Sequence, residues 1–343
     1  MKKILKGVTT LTFALSAFNV SAANDVLNVY NWAEYMPDSV LKAFEKEYDV
    51  TINYSTFDNN EAMYTKLKLL DNKGYDVVFA STYFIEKMAR EGMLAKIDHS
   101  KIPNLANVYP GLLNQEFDPK NDYSAPYVWG VTGISYNSEL VTTPITGWKD
   151  LWNADFARQV MLLDDVRDVF GMALKAQGHS INTTNEAEIK QAYESLQKLR
   201  PNVVVYNSDA PHVPYVTGEA SIGMQWNGNA YMAKQEMKEL EFVYPKEGSI
   251  LWMDNFIIPA GSANKELAEK FINFIYRPEN QAKIVEEFGF PPATKDAKSH
   301  LPKEIQDNPI IFPSEEDINK GEFTNDVGQA VNIYQKYWQL LKS

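Results

Sequence analysis

Short apolar runs alternate with amphipathic stretches along most of the chain, as when strands and helices are taken in turn. In Val26–Asn31 the apolar residues double up, as in a strand buried on both faces. A helix starts near Met36–Ser39: Pro37 suits a first turn, and Val40, Leu41 and Phe44 recur at helical spacing. Val50–Thr56 is a second strand, completing a βαβ unit. Asn59–Leu70 is a helix capped by Asn59 or Asn60, with Met63, Leu67 and Leu70 on one face. Tyr75–Ala80 reads as a third buried strand, followed by the helix Ile85–Glu91. Leu94–Asp122, rich in Pro and Asn, predicts surface loops with one helical turn. Pro126–Tyr136 predicts a long strand, and Gly130 and Gly133 inside it mark bends or close backbone approach.

A second α/β region begins at Trp148–Trp152. Its expected strands are Val160–Leu163, Asn202–Tyr206, Ala220–Gln225, Phe242–Tyr244 and Ile250–Met253. Its helices end near Ala176, cover Glu186–Leu199 and cover Ala230–Lys238. Phe256–Pro259 then carries the chain back to the first region, where Lys265–Tyr276 and Asn280–Phe288 add helices. A last helix covers Asp326–Leu341. The pattern therefore predicts an α/β protein of two lobes: residues 24–130 plus 255–298, and residues 131–254 plus 299–343. A length of 343 residues is ample for two cores.

Residues 1–23 stand apart. A basic start (Lys2, Lys3, Lys6), the apolar run Val8–Phe18 and the small residues Ser21, Ala22 and Ala23 form a secretory signal peptide. The chain has no Cys, so disulfides, thiolate metal sites and the lipid-anchoring Cys of exported lipoproteins are excluded. A mature protein free in a bacterial periplasm is expected. The excess of 45 Asp+Glu over 33 Lys+Arg argues against nucleic acid and is compatible with a cationic partner.

The ends of the expected strands share one chemistry. Trp32, Glu34 and Tyr35 follow the first strand, Ser81 and Tyr83 the third, and Asp165 and Asp168 the fifth, Val160–Leu163; Ser208, Trp226, Trp252 and Asp254 close later ones. Open α/β sheets bind ligands at that edge. Aromatic faces cover methylenes and attract cations at ~0.5–2 kcal/mol each. Carboxylates pair with ammonium groups through charge-assisted hydrogen bonds. A flexible organic cation fits this set; sugars stack on Trp and bond to Asp as well, so they remain open. Asp165 and Asp168 lie on one helical face, where an Asp also serves as a cap. They form a poor glycosidase pair, because such carboxylates flank a bond from two sides. The histidines His99, His179, His212 and His300 fall in polar stretches and are expected to be solvated. No nucleophile elbow, phosphate loop or metal-ligand spacing is present, so neither enzyme activity nor a cofactor is expected.

Eight segments resemble the bacterial periplasmic spermidine/putrescine-binding proteins of ABC-type polyamine transporters, most closely the spermidine-preferring kind. They are Tyr30–Tyr35 (YNWAEY), Ser81–Tyr83 (STY), Tyr123–Gly130 (YSAPYVWG), Asp164–Phe170 (DDVRDVF), Pro201–Asp209 (PNVVVYNSD), Trp226–Gly228 (WNG), Trp252–Asp254 (WMD) and Asn325–Gly328 (NDVG). The resemblance implies the two-lobed type II solute-binding fold, with the ligand in the cleft and the lobes closing over it. It implies an aromatic box of Trp32, Tyr35, Tyr83, Trp226 and Trp252 around the methylene chain. Glu34, Asp165, Asp168 and Asp254 would hold the amines, helped by Ser81 and Ser208. The chain departs from the family pattern at Asp168, often Glu there, at Phe290 in place of a Tyr, and at Thr324 in place of a Gln. The implied partners are spermidine or putrescine and an inner-membrane permease, with the receptor a monomer. A sensor that docks its liganded form on a signalling partner uses the same fold.

Overall fold

The computed structural model describes residues 25–343; the expected signal peptide lies outside the described residues. Its strands are β1 (Val26–Trp32), β2 (Thr51–Phe57), β3 (Val77–Ser81), β4 (Ser124–Asn137), β5 (Val160–Leu162), β6 (Val203–Tyr206), β7 (Ile222–Trp226), β8 (Leu240–Val243), β9 (Ile250–Ile257) and β10 (Glu322–Phe323). Between and after them run α1 (Asp38–Tyr48), α2 (Asn60–Leu69), α3 (Thr82–Arg90), α4 (Val166–Gln177), α5 (Glu186–Leu199), α6 (Val213–Val216), α7 (Asn227–Glu236), α8 (Lys265–Ile275), α9 (Pro278–Phe288), α10 (Lys303–Gln306), α11 (Glu315–Lys320) and α12 (Val331–Lys342).

The strands join in the order β2-β1-β3-β9-β4-β7-β5-β6, with β10 beside β9 and β8 beside β4. β1 pairs in parallel with β2 and β3, and β5 in parallel with β6 and β7, so each half holds a small parallel sheet. Two long antiparallel strands tie the halves together. β4 pairs with β9 from Ser124↔Ile257 to Thr132↔Ile250, while the end of β9 pairs with β3 as far as Ser81↔Asp254.

The burial follows the same division. One apolar cluster contains Leu27, Val29, Phe44, Phe79, Phe256 and Phe271. A second contains Trp148, Leu162, Phe170, Ile189, Met224 and Tyr334. A third, smaller one joins Tyr231 of α7 to Val285 of α9 and to Leu301, Ile305 and Ile311.

Three expectations are corrected. β9 is one unbroken strand, whereas its Asp254-Asn255 step suggested a break, because those residue types are poor strand formers. Both are buried, and tertiary partners override the propensity. α3 begins at Thr82 and α7 at Asn227, earlier than the periodicity indicated, since burial of Tyr83, Phe84 and Ile85 rewards an early start. The stretch 94–122 contains three short 3-10 turns, at His99–Lys101, Pro103–Asn107 and Pro110–Leu112.

Candidate functional site

A cavity of about 670 Å³, counted out to its mouth, opens where the two halves meet β9, and every residue singled out from the sequence borders it. The first half contributes Trp32 from the end of β1, Glu34 and Tyr35 from the turn after it, Ser81 from the end of β3 and Tyr83 from the first turn of α3. The second half contributes Asp165 and Asp168 from the start of α4, Ser208 after β6 and Trp226 at the end of β7. Trp252 and Asp254 sit inside β9, Phe290 follows α9, and Thr324 follows β10. The strand-end rule thus places most of these side chains. It misplaces Trp252 and Asp254, which reach the cavity from the middle of a crossing strand.

The acids are held differently. Asp254, 4% exposed, accepts hydrogen bonds from Ser81 Oγ at 2.6 Å and Tyr35 Oη at 2.7 Å. Burial pushes its carboxyl up to about 6, against the pull of those two bonds. Asp168 accepts from Thr132 Oγ1 at 2.7 Å and Trp226 Nε1 at 2.9 Å. Burial, then the charge of Asp165, raises it to about 7. Asp165 caps α4 by accepting from the backbone N–H groups of Arg167 and Asp168 at 2.8 and 3.0 Å. Burial raises it too, opposed by those two bonds. The structural and the ligand-binding readings of Asp165 are therefore both open to one side chain: one oxygen takes both helix bonds. Glu34 stands at the rim with its side chain 38% exposed and its backbone at φ 49, in the left-handed region. Burial raises it as well, and His212 pulls it back.

The aromatic rings line the space between these acids. Trp32 and Trp226, one from each half, stand 6.2 Å apart, and Trp226 and Trp252 6.4 Å apart. Phe290 meets Tyr35 at 5.0 Å and Trp252 at 5.5 Å, all at steep interplanar angles. Phe290 is 2% exposed and carries no hydroxyl. Tyr83 is fixed by Asn60, whose Nδ2 lies 3.0 Å from both Tyr83 Oη and Ser81 Oγ.

Several neighbours escaped the sequence reading. Arg167 borders the cavity, yet its guanidinium is engaged elsewhere: it donates to Asn325 O at 3.0 Å, Ile181 O at 3.3 Å and Asn182 Oδ1 at 2.9 Å. Its position in DDVRDVF, between the two acids, was the available signal. Asn229 in the first turn of α7 offers a buried, unpartnered Oδ1, as Ser208 offers an unpartnered Oγ. Glu61 of α2 is raised to about 7 by burial and then by Asp165 across the cleft. The expectation of solvated histidines fails at His212. It is 9% exposed and stands 3.4 Å from Glu34 and 4.0 Å from Glu236. A polar sequence context does not report packing between lobes.

Two α/β halves closed on an acidic, aromatic cleft along two crossing strands define a solute receptor. The chain belongs to the bacterial extracellular solute-binding protein family, whose model matches residues 39–313. Among its relatives it is 47% identical to the spermidine/putrescine-binding periplasmic protein of Salmonella typhimurium, over 97% of this chain and 96% of that one. It is 31% identical to the putrescine-binding periplasmic protein PotF of Escherichia coli, over 100% of this chain and 98% of that one. The structure superimposes on the spermidine/putrescine ABC transporter substrate-binding protein PotD of Streptococcus pneumoniae with a TM-score of 0.78 and 33% identity, covering 93% of this chain and 100% of that one.

Proposed function

We propose that this protein is a periplasmic polyamine receptor, binding spermidine in preference to putrescine and delivering it to an ABC permease without chemical change. The observation that carries this is the state of the cavity acids. Asp254 and Asp168 are buried among aromatic rings with neutral hydrogen-bond donors only, and both carboxyls are held well above their ordinary range. A buried carboxylate without a cation is costly. A ligand that brings ammonium groups spaced along a hydrocarbon chain removes that cost at each acid and covers the rings with methylenes. The higher identity to the spermidine/putrescine-binding relative than to the putrescine-binding one supports the triamine preference.

Ligand contacts are assigned to Trp32, Glu34, Tyr35, Ser81, Tyr83, Asp165, Asp168, Ser208, Trp226, Trp252 and Asp254, with Phe290 and Thr324 as flanking walls. The lobes are residues 24–130 with 255–298 and 131–254 with 299–343. The first two apolar clusters support that division, and the third shows the 301–311 segment leaning on both α7 and α9. Export by a cleaved leader to the periplasm, as a free monomer, is in keeping with the periplasmic relatives; among the described residues no helix is long and apolar enough to cross a membrane.

Titration calorimetry with spermidine and putrescine tests the function: saturable binding of both is expected, tighter for spermidine. Absence of heat with either at micromolar protein would overturn it. One feature favours a neutral solute instead. The buried indole N–H groups of Trp32 and Trp252 have no partner and would suit a ligand rich in acceptors. Displacement of spermidine by a disaccharide would support that second reading.

A further inference from the structure

The geometry points to His212 as the residue that sets how strongly the receptor distinguishes a triamine from a diamine, by supplying a protein-borne cation to Glu34. The inference rests on the polyamine reading above. Asp254, Asp168 and Asp165 each accept hydrogen bonds from the protein's own donors. Glu34 is served differently. His212 Nδ1 approaches its Oε2 to 3.4 Å. Nδ1 nevertheless has no hydrogen-bond partner, so the approach is misaligned and any attraction is between charges. The carboxylates facing this corner are Glu34 from the turn after β1, Glu236 at the end of α7, with its Oε1 4.0 Å from Nε2, and Asp209 after β6. A cationic imidazole is thus drawn to a nest of three acids, and a neutral one leaves Glu34 facing Asp209 and Glu236 uncompensated.

That choice falls on the acid at the rim. Asp254 and Asp168 lie deep, at 4% and 7% exposure, whereas Glu34 stands at the mouth. A diamine occupies two acid subsites; the additional ammonium of a triamine needs a further carboxylate, and of the remaining acids in the cavity wall, Asp165 already caps α4, whereas Glu34 stands at the mouth facing His212. A cationic His212 already neutralises Glu34 and so lowers what the extra ammonium gains.

The test compares spermidine and putrescine affinities of the full-length mature protein and its His212→Ala and His212→Gln variants, by calorimetry at pH 6.0. Both variants should raise the spermidine-to-putrescine affinity ratio at pH 6.0 by up to about fivefold, the upper range for a partly exposed charge pair. Putrescine affinity should stay within about twofold. A ratio that is unchanged, or that falls, overturns the inference. Loss of both ligands in both variants would make His212 a structural prop and overturn it equally. Failure of the unaltered protein to bind either amine would instead remove the polyamine reading itself.

Discussion

Replacing Asp254 by Asn separates the cost of a buried charge from its use. The carboxyl stands at about 6 in the folded protein, against an ordinary value of 3.8. The folded state therefore holds its proton more tightly than the unfolded chain. Stability is full below pH 4, falls as pH rises from about 4 to about 6, and carries the whole penalty at pH 7.5. Two pKa units and a little more correspond to about 3 kcal/mol, with no discount for solvent at a residue 4% exposed. Asn removes that penalty and keeps the shape. Its Oδ1 accepts from one of the two hydroxyls, Ser81 Oγ or Tyr35 Oη, and its amide donates to the other. The unliganded variant should thus melt a few degrees higher than the parent at pH 7.5, with the difference vanishing near pH 4. Its spermidine affinity should fall by about 2–5 kcal/mol, the range for truncating one partner of a buried charge pair. Thermal unfolding followed by circular dichroism and calorimetric titration read the two effects. Opposite signs mark a charge kept for a ligand. A variant that is both less stable and as tight as the parent would refute the reasoning.

Two further outcomes follow from the same site. With Asp168 at about 7 and Asp254 at about 6 in the unliganded protein, ammonium groups lower both on binding. Affinity should weaken as pH falls from 8 to 5, and binding near pH 6.5 should release protons, measured by calorimetry in buffers of different ionisation enthalpy; proton uptake would contradict it. At Gly130 an added Cβ would lie 2.2 Å from Trp252 Cζ2 and 2.8 Å from Asn227 Oδ1. Gly130→Ala should therefore push against the Trp252 ring in the cavity wall and weaken spermidine about fivefold or more, in line with the ~1–3 kcal/mol cost of overpacking. Parental affinity in that variant would show that the ring has room to yield.

The residues that announced themselves in the sequence did so because a parallel sheet delivers its loops to one edge. Trp32, Ser81 and Trp226 end strands whose apolar runs are unmistakable, and the side chains after them fall in the cavity with no knowledge of the tertiary structure. Asp254 was found by its chemistry and misplaced by its propensity: an acid in mid-strand is improbable until Tyr35 and Ser81, distant in sequence, are seen to bond it. Asp165 was legible twice over, as cap and as ligand acid, because an N-terminal turn serves both. Arg167 sat in plain view, but whether it neutralises the cavity depends on carbonyl groups at Ile181 and Asn325 that only the fold brings near. His212 faces Glu34, and Glu61 feels the charge of Asp165, both partners distant in sequence, and no local pattern records that.

The course of β9 through both halves has a kinematic consequence. When two bodies swing about a shared pair of strands, points near the pivot travel least and points at the end of the lever arm travel most. Trp252 and Asp254 ride on the pivot, whereas Trp32 and Trp226 belong to opposite arms. On the proposed assignment, opening would draw Trp32 and Trp226 away from a bound solute while Asp254, nearest the pivot, travels least. Release of a solute held as proposed would then be staged, the contact at Asp254, beside the pivot, being the last to part.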